Sequence, residues 1–372
     1  MNNVHSIIFA YHVRPDMGEL CKFRTPSALP FGARYRLIDF ALSGLMHAGL
    51  FDVDVIMQFG YGPLLDHLSA GRAWNMVRHT GGLHQMLANS DRGRYGGSMA
   101  ALDAMEARLR GDIKAEYVLL TRGDLCATVD MGGLVEAHLA SGADVTVLCT
   151  PKPIPGENHR FVPAEDGSAT AAELLCKQPE TSRGVTSLET YILKREKLLE
   201  LMRWCAEGNR LHFHRDGLMH MMRDEGWRVG LHMHDGYARF LSNVKDYYDA
   251  NMDMLDEKNF LSMFPVEDGR RVATRARSDV SSYYSDTAQV KDSLIADGCQ
   301  IEGKVTRCVL SRGVRVEPGC DLQDCVILDN TTVGAGTVLK HVVSDKEVVF
   351  SPNLSLAGSA KLPLVIPKRG KL

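Results

Sequence analysis

The sequence has no long apolar run, no basic excess and no sign of a secretory leader. No stretch of its 372 residues approaches the ~18 uninterrupted apolar residues of a membrane-spanning helix. Lys and Arg total 43 against 46 for Asp and Glu, and this balance excludes a protein that binds nucleic acid through bulk charge. The opening residues, MNNVHSIIFAYHVRPD, contain one four-residue apolar run and no basic lead-in. We therefore predict a cytoplasmic protein with neither a membrane nor a nucleic acid as its partner.

Residues with the spacing of metal ligands are also scarce. The nine cysteines include no C-x-x-C pair, and their scattered placement fits reduced thiols that serve as small apolar side chains. The pairs His212/His214 and His232/His234 have the H-x-H spacing that points two imidazoles to one face of a strand. No third ligand is apparent for either pair, although a zinc site needs one. We therefore predict no metal site.

Up to about residue 260, short apolar runs alternate with longer amphipathic segments. The predicted strands are Ser6–Tyr11, Val53–Phe59, Tyr117–Thr121 and Asp144–Cys149, and the predicted helices are Ile38–His47, Ser98–Leu109 and Leu134–Ala140. Continuous β-rich apolar runs are typical of strands buried on both faces of a parallel sheet. The alternation predicts an α/β domain with an open, mostly parallel, Rossmann-like sheet over residues 1–262.

A different pattern follows a linker predicted at residues 263–287. Aliphatic residues recur about every six positions, at Ile295, Ile301, Leu310, Val316, Leu322, Ile327, Val333 and Leu339. Glycines fall at turn offsets among them, for example Gly298, Gly313 and Gly319. This period is typical of a parallel β-helix, whose coils stack their inward side chains. We predict such a domain over residues 288–372.

One segment resembles a known enzyme family. Residues 30–49 read PFGARYRLIDFALSGLMHAG, similar to the P-F-G-G-x-x-R-x-I-D-F segment of glucose-1-phosphate adenylyltransferases (ADP-glucose pyrophosphorylases). Further matches follow in the family's order, namely Gln58 in VIMQF, Gly97 in RYGGSMAAL, Asp124 in LLTRGD and Lys177 in CKQP. The resemblance implies a nucleotidyltransferase domain followed by a left-handed β-helix, with these four residues in a substrate pocket.

The chain departs from the family at the residues that hold nucleotide and metal. Catalytic members follow their first strand with a Gly-Gly-x-Gly-x-Arg loop, in which the absence of side chains lets backbone N–H groups close on phosphates. Here Tyr11 and His12 stand at the paired glycines, and no glycine occurs before Gly18. The family also supplies two aspartates to a divalent metal. Asp124 matches one of them, but Phe240 stands at the other.

The sugar-phosphate side is altered as well. The glutamate of the family's E-K-P is Cys176, the glycine of S-M-G-x-Y is Glu189, and the lysine of R-A-K-P is lost. These losses resemble the non-catalytic, GlgD-type members, which implies a regulatory subunit that needs no cofactor, with Mg²⁺ relevant only to residual activity. The resemblance also implies assembly with a catalytic paralogue, as a heterotetramer, and binding of anionic effectors at Arg24 and Arg36, whose guanidinium forks suit phosphate and sulfate.

Two other functions stay open. The chain is an active adenylyltransferase if other residues replace the missing ligands. Alternatively, it is a hexapeptide-repeat acyltransferase, in which case His341, which lies near the end of the repeat region, is the candidate base.

The candidate site residues have structural alternatives too. Asp124 is either a vestigial metal ligand or a strand-end cap, and Lys177 is either a pocket-rim charge or a substrate clamp. Arg24 and Arg36 either bind effectors or pair with local acids such as Asp39.

Overall fold

The computed structural model describes residues 3–11, 14–79, 81–88, 97–154, 158–175, 184–266 and 269–372. These residues form two compact units. The first unit takes in described residues within 3–11, 38–240 and 265–273, and the second those within 14–37, 241–264 and 274–372.

The elements are numbered along the chain. The strands of the first 240 residues are β1 (Val4–Phe9), β2 (Pro30–Phe31), β3 (Tyr35–Arg36), β4 (Asp52–Met57), β5 (Gly82–Leu87), β6 (Tyr117–Arg122), β7 (Leu125–Cys126), β8 (Val145–Thr150), β9 (Asn158–Pro163), β10 (Ala169–Leu175), β11 (Val185–Lys194), β12 (Val229–Met233) and β13 (Arg239–Phe240). The α-helices are α1 (Leu37–His47), α2 (Gly62–Leu68), α3 (Gly97–Asp103), α4 (Glu106–Arg110), α5 (Met131–Ser141), α6 (Arg195–Glu207), α7 (Met219–Arg223), α8 (Val244–Asp253) and α9 (Glu257–Met263). Short 3₁₀ segments lie at Pro15–Cys21, Pro26–Ala28 and Arg72–Trp74, and a π-helical segment lies at Phe213–Leu218.

The later strands are short. They are β14 (Tyr283–Tyr284), β15 (Gln289–Lys291), β16 (Leu294–Ile295), β17 (Gln300–Ile301), β18 (Lys304–Thr306), β19 (Val309–Leu310), β20 (Arg315–Val316), β21 (Asp321–Gln323), β22 (Val326–Ile327), β23 (Thr332–Val333), β24 (Val338–Lys340), β25 (Val342–Ser344), β26 (Val349–Phe350), β27 (Ser355–Ala357) and β28 (Leu364–Ile366).

A mixed sheet forms the centre of the first unit. Its strand order is β10-β9-β11-β6-β1-β4-β5, and β8 pairs with both β11 and β12. Strands β6, β1, β4 and β5 are parallel, whereas β11 runs antiparallel to β6. All six residues of β1 and of β8 are buried, as expected for apolar runs covered on both faces. The predicted α/β class with a mostly parallel sheet is confirmed.

One predicted helix is interrupted. The segment expected as Ser98–Leu109 forms α3 and α4, separated by a turn at residues 104–105. The amide of Met105 bonds to the carbonyl of Leu102 at 2.8 Å, a tighter connection than an α-helical turn. Met105 is fully buried in the core. The turn therefore directs this side chain inward.

The second unit contains three parallel sheets of short strands. Their orders are β14-β17-β20-β23-β26, β15-β18-β21-β24-β27 and β16-β19-β22-β25-β28, so each coil contributes one strand to each sheet. Residues that are six positions apart within one coil, such as Val316 and Leu322, each pair in register with a residue of the next coil. Val316 pairs with Val333, and Leu322 pairs with Leu339. Both pairs are fully or almost fully buried. The predicted left-handed parallel β-helix of hexapeptide repeats is confirmed.

The β2–β3 hairpin and α8 belong to this second unit. The Tyr247 hydroxyl donates to the carbonyl of Pro30 at 2.7 Å, and the amide of Gly32 donates to the Asn251 side chain at 3.1 Å. These bonds fix the hairpin that ends at Arg36.

No disulfide joins the thiols of the described residues, and most of these thiols are buried. The buried ones are Cys126, Cys149, Cys205, Cys299, Cys308, Cys320 and Cys325, and Cys21 is half-buried. Burial raises the pKa of the Cys149 thiol, which keeps it protonated. Across the described ranges, no helix combines the length and the apolar character that a membrane crossing requires.

Candidate functional site

The candidate site lies at the carboxyl edge of the parallel strands. Strand β1 is in register with β4 and β6, so that Phe9 is paired with both Ile56 and Arg122. The segments that follow these strands carry Tyr11 and Asp124, and the half-buried Gln58 follows β4. Ligands of open α/β sheets bind at this edge. The topology therefore places these three predicted positions on one edge of the sheet.

Tyr11 occupies apolar surroundings beside the charged residues of the site. Its ring meets Phe9 edge-to-face at 5.8 Å between centroids. Burial, together with the nearby Glu189, raises the pKa of Tyr11, and its side chain bonds to Ser98. The side chain is therefore a neutral phenol at the position where the family has a glycine. His12 lies outside the described residues.

Asp124 is engaged by a buried arginine. Arg122 Nε donates to Oδ1 of Asp124 at 2.8 Å, and Nη2 donates to Oδ2 at 2.8 Å. The two residues are 4% and 1% exposed. The planar fork of the guanidinium thus binds both oxygens of the carboxylate that was predicted as a vestigial metal ligand. Sequence reasoning proposed a cap or a metal ligand for Asp124 and did not consider this ion pair.

Glu189 supplies a second carboxylate to the same arginine. Its Oε2 lies 3.1 Å from Nη1 of Arg122. Glu189 has a φ of +50°, in the left-handed region, and the pairing of β11 with β8 shifts register between Ser187 and Tyr191. This β-bulge directs the side chain to Arg122 at a position where glycine would be unstrained.

The ring of Phe240 covers the guanidinium. Strand β13 pairs antiparallel with β7, with Phe240 opposite Leu125. The Cζ atom of Arg122 lies 4.4 Å from the centre of the Phe240 ring, and Phe240 is 5% exposed. This distance is typical of a cation–π contact, which gains strength when it is shielded from water.

Arg122 occupies the carboxylate oxygens that a divalent cation at Asp124 would need. Burial by itself would lower the pKa of Arg122, but Asp124 and Glu189 outweigh it and hold the pKa above its ordinary value. The guanidinium therefore stays charged between the two carboxylates. A magnesium ion, which the resemblance implies for catalytic members, would need oxygen ligands that Arg122 already occupies. The residues present do not fit Mg²⁺.

Gly97 has a structural requirement of its own. Its φ is +62°, and a Cβ atom there would lie 2.1 Å from the carbonyl oxygen of Leu211. The amide of Phe213 donates to the Ser98 hydroxyl at 2.7 Å, which docks the same segment. Close packing thus accounts for this glycine without a nucleotide. Lys177 lies outside the described residues, so that its predicted role stays a prediction.

The histidine pairs make contacts with other protein groups. Nδ1 of His214 lies 3.0 Å from the Tyr191 hydroxyl, and its ring stacks on His159 at 3.7 Å. Nε2 of His234 lies 3.2 Å from the carbonyl of Tyr237. In the described ranges, no group of three or more His, Cys, Asp or Glu side chains is arranged to hold a metal.

The effector candidates lie in the second unit. Arg24 Nη2 donates to both oxygens of Asp345, at 2.8 and 2.9 Å, although the two residues are 321 positions apart. Arg24 is 6% exposed, and within the described residues its Nη1 atom has no hydrogen-bond partner. Arg36 Nη1 donates to the carbonyl of Ala28 at 3.2 Å. The local acid suggested for these arginines, Asp39, has its Oδ1 atom 2.6 Å from Nε2 of His67. The acid that pairs with Arg24 is thus a distant one.

Lys346 joins this group of cations. Its Nζ lies 2.7 Å from Oδ2 of Asp329. Burial lowers the pKa of Lys346 to about 8, with Arg36 and Arg24 adding to the effect and Asp329 opposing it. Burial is thus the main reason that the pKa of Lys346 is low, and the two arginines reinforce it.

Sequence reasoning missed Arg122 and Lys346. The order Arg122-Gly123-Asp124 contained a signal for the first, because a cation two residues from the only retained metal aspartate can fold back on it. Lys346 had no comparable local signal, since the arginines around it lie more than 300 residues earlier in the chain.

His341, the candidate base of the acyltransferase alternative, also lies in the second unit. Its Nδ1 is 2.8 Å from the hydroxyl of Tyr248, which itself donates to the carbonyl of Asp324 at 3.0 Å. His341 therefore takes part in the packing of α8 against the β-helix.

Two family models match the chain. The model described as nucleotidyl transferase matches residues 18–257, and the model described as GlmU-like, C-terminal hexapeptide matches residues 278–360. The glucose-1-phosphate adenylyltransferase of Bacillus cytotoxicus is 27% identical over 347 residues, which cover 90% of this chain and 91% of the relative. Those of Bacillus mycoides and Bacillus anthracis are 27% identical over 339 residues, which cover 90% of this chain and 89% of each relative. The chain therefore belongs to the nucleotidyl transferase family, carries a hexapeptide β-helix after the transferase region, and is similar to glucose-1-phosphate adenylyltransferases.

Proposed function

We propose that this chain is a non-catalytic, GlgD-type subunit of an ADP-glucose pyrophosphorylase. It assembles with a catalytic paralogue and modulates that partner's activity and effector response in glycogen synthesis. The observation that carries the proposal is the buried Arg122 guanidinium, held by Asp124 and Glu189 under the ring of Phe240.

The chemistry of nucleotidyl transfer supports this proposal. Transfer needs a divalent metal that neutralises the phosphates and positions the attacking oxygen. Here one fixed positive charge faces two negative charges, so that the cluster has no spare positive charge for a phosphate. The bulky Tyr11 adds a second obstacle at the position of the phosphate loop.

An active glucose-1-phosphate adenylyltransferase is the second candidate. Its support is the similarity to proteins of that name along 90% of the chain. This reading requires ATP and Mg²⁺ to bind without the Asp124 carboxylate, or to displace Arg122 from it.

The first coil of the β-helix supports assembly with a partner. Tyr284 and Val290 occupy inward positions, since their register partners Ile301 and Val305 are fully buried. Tyr284 is nevertheless 47% exposed, and Val290 is 40% exposed. Exposed inward side chains beside open strand edges favour association. We propose this end as the contact with the catalytic paralogue, within a heterotetramer.

The cations of the second unit support an anionic effector. Arg24, Arg36 and Lys346 lie close enough for the two arginines to lower the pKa of the lysine. An anion would relieve that repulsion and would give the buried Nη1 of Arg24 a hydrogen-bond partner. We propose that a phosphorylated metabolite binds there.

The test is a comparison of ADP-glucose formation from ATP and glucose 1-phosphate. This chain, its catalytic paralogue and their mixture are assayed with Mg²⁺, with and without candidate effectors. We expect no turnover by this chain alone, and a changed rate or effector response in the mixture. Robust Mg²⁺-dependent turnover by the lone chain would establish the second candidate instead.

A pair of variants connects the effect to assembly. Val290→Asp places a charge on the first coil, whereas Val338→Asp alters an outward position of similar exposure, 44%, on the fourth of the five coils. We expect Val290→Asp to remove the effect on the partner and Val338→Asp to preserve it. Equal behaviour of the two variants would exclude the first coil as the contact.

A further inference from the structure

A cavity of about 320 Å³ lies in the first unit, beside the end of α1. It is lined by the small residues Gly44 and Ala48, by residues 129–132 where α5 begins, and by Gly269 and Arg270. These residues are distinct from those of the candidate site and from the effector candidates. The function proposed above therefore does not account for the cavity.

The segment on one side of the cavity is held by exposed polar contacts. Nη1 of Arg270 lies 3.0 Å from Oδ2 of Asp130, and the two side chains are 42% and 57% exposed. Nε2 of His47 donates to the carbonyl of Arg271 at 2.8 Å, also at the surface. Gly269 has a φ of +74°, and a Cβ atom there would meet nothing within 4 Å. Because exposed ion pairs are weak and glycine is conformationally free, this segment can move at little cost.

The chain is fixed again at Ala273 by buried groups. The amide of Ala273 donates to Oγ of Ser43 at 2.9 Å, and Nε1 of Trp74 donates to the carbonyl of Ala273 at 3.2 Å. The side chains of Ser43 and Trp74 are fully or almost fully buried. A buried indole N–H that loses its acceptor is unfavourable, so that Ala273 should stay in place when the exposed contacts break.

We propose that residues 269–271 form a lid over this cavity. The lid moves about a fixed point at Ala273, and the ion pair between Arg270 and Asp130 holds it closed. Opening gives small solutes access to the cavity, and the strength of the ion pair sets the fraction of molecules that are open. All of these residues belong to the first unit, and the inference does not depend on whether the chain catalyses a reaction.

Chemical labelling of a cysteine placed in the cavity measures the opening. Ala48→Cys introduces a thiol there, whereas Ala41→Cys is the matched control, since Ala41 is equally buried on α1 but is not one of the described residues that line the cavity. The full chain is treated with iodoacetamide, and mass spectrometry quantifies the modification of each introduced thiol. We expect Ala48→Cys to react about tenfold or more faster than Ala41→Cys. Gly132→Cys, where a Cβ atom would make only ordinary contacts, replaces Ala48→Cys if that variant fails to fold.

Two variants test the ion pair. Asp130→Asn removes the negative charge but keeps an oxygen that can accept the capping bond from the amide of Gly133. In the Ala48→Cys background it should raise the labelling rate about two- to fivefold, the effect of losing an exposed ion pair. Arg270→Gln should act in the same way, whereas Asp256→Asn, which alters the N-cap of α9, is the control and should have no effect. High salt should raise the rate in the Ala48→Cys background but not when Asp130→Asn is added.

Hydrogen exchange at the amide of Ala273 distinguishes a lid from detachment of the whole segment. We expect this exchange to be the same in Asp130→Asn and in the parent protein, because the fixed point does not depend on the ion pair. The proposal is overturned if Ala48→Cys reacts as slowly as Ala41→Cys in every variant, since the cavity then does not open. It is also overturned if the labelling is fast but independent of Asp130 and of salt, or if exchange at Ala273 rises together with the labelling.

Discussion

Substitutions at Glu189 can measure two features of the candidate site, namely its backbone strain and its ion pair with Arg122. It combines a left-handed backbone, with a φ of +50°, and a carboxylate 3.1 Å from Arg122. Two substitutions separate these features. Glu189→Ala removes the carboxylate and keeps a Cβ atom, whereas Glu189→Gly removes both.

The expected magnitudes follow from the two features. A hydrogen bond to a charged group contributes about 1.5–3 kcal/mol, and the 25% exposure of Glu189 places the value toward the lower end. A Cβ atom in the left-handed region costs roughly 1–2 kcal/mol. Glu189→Ala should therefore lower the free energy of unfolding by about 1.5–2 kcal/mol, and Glu189→Gly should recover about 1 kcal/mol of that loss.

The order of the two variants is the diagnostic result. In an ordinary strand, glycine is less stable than alanine by roughly 0.5–1 kcal/mol, so that the expected order at position 189 is reversed. Urea unfolding of the three proteins, followed by circular dichroism, measures the differences. An alanine variant as stable as the parent would remove the role of the ion pair. A glycine variant no more stable than alanine would refute the backbone reasoning.

Three further predictions concern the charged groups. Phe240→Asp alone should show no Mg²⁺-dependent rise in melting temperature, because the new carboxylate would lie against Arg122. The double variant with Phe240→Asp and Arg122→Ser should be stabilised by about 1.4 kcal/mol when Mg²⁺ is at ten times its Kd. His5 is buried, which would lower its pKa, but the carboxylates of Asp52 and Asp54, which lie 3.1 and 2.8 Å from its two ring nitrogens, raise it above 6.5. The contribution of His5 to stability is thus fully present below pH 6.5 and is lost as the pH rises through the raised pKa. Urea unfolding at a series of pH values should show this loss in the parent protein but not in His5→Gln. Sulfate binding at Arg24 and Arg36 should weaken above pH 8, where Lys346 loses its proton. Calorimetry in buffers of different ionisation enthalpy should detect the uptake of a proton on binding, and Lys346→Gln should abolish that uptake.

The parts of the fold that depend on local burial could be predicted from the sequence. Strand β1 was expected at Ser6–Tyr11 and lies at Val4–Phe9, because a continuous apolar run has one stable place in a two-sided sheet. The six-residue spacing likewise gave the β-helix, since each inward aliphatic residue must stack on its equivalent in the next coil. In both cases the apolar residues that form the core are close together in the sequence, so that a short segment is enough to predict the element.

Strand β11 could not be predicted in the same way. It pairs antiparallel with β6, β8 and β9, and it is interrupted by the bulge at Glu189. Such a strand takes its partners from three distant segments, and a left-handed φ at a non-glycine residue leaves no mark in a single sequence. Its existence follows from tertiary pairing and not from local preference.

Some features of the candidate site could likewise be predicted from the sequence, whereas others depend on tertiary structure. Replacement of the second metal aspartate by Phe240 could be read from the sequence, and so could the carboxylate at position 189. Their meeting around Arg122 could not, because 67 positions separate Arg122 from Glu189 and the direction of each side chain depends on the sheet. In the sequence these substitutions are separate, whereas in the structure their side chains meet in one cluster around Arg122.

The contacts within this cluster compensate its buried charges. A buried Asp124 without a metal would be an uncompensated charge, and such charges are strongly destabilising. Arg122 removes that cost, but its third donor group then needs an acceptor, which Glu189 supplies at 3.1 Å. The ring of Phe240 fits this arrangement, because an aromatic face stabilises a guanidinium and an aspartate there would compete for it. Glu189 and Phe240 are thus both stabilised by their contacts with Arg122. Restoring a metal site would therefore require several simultaneous changes, and single substitutions at these positions should reduce stability before they bring back any activity.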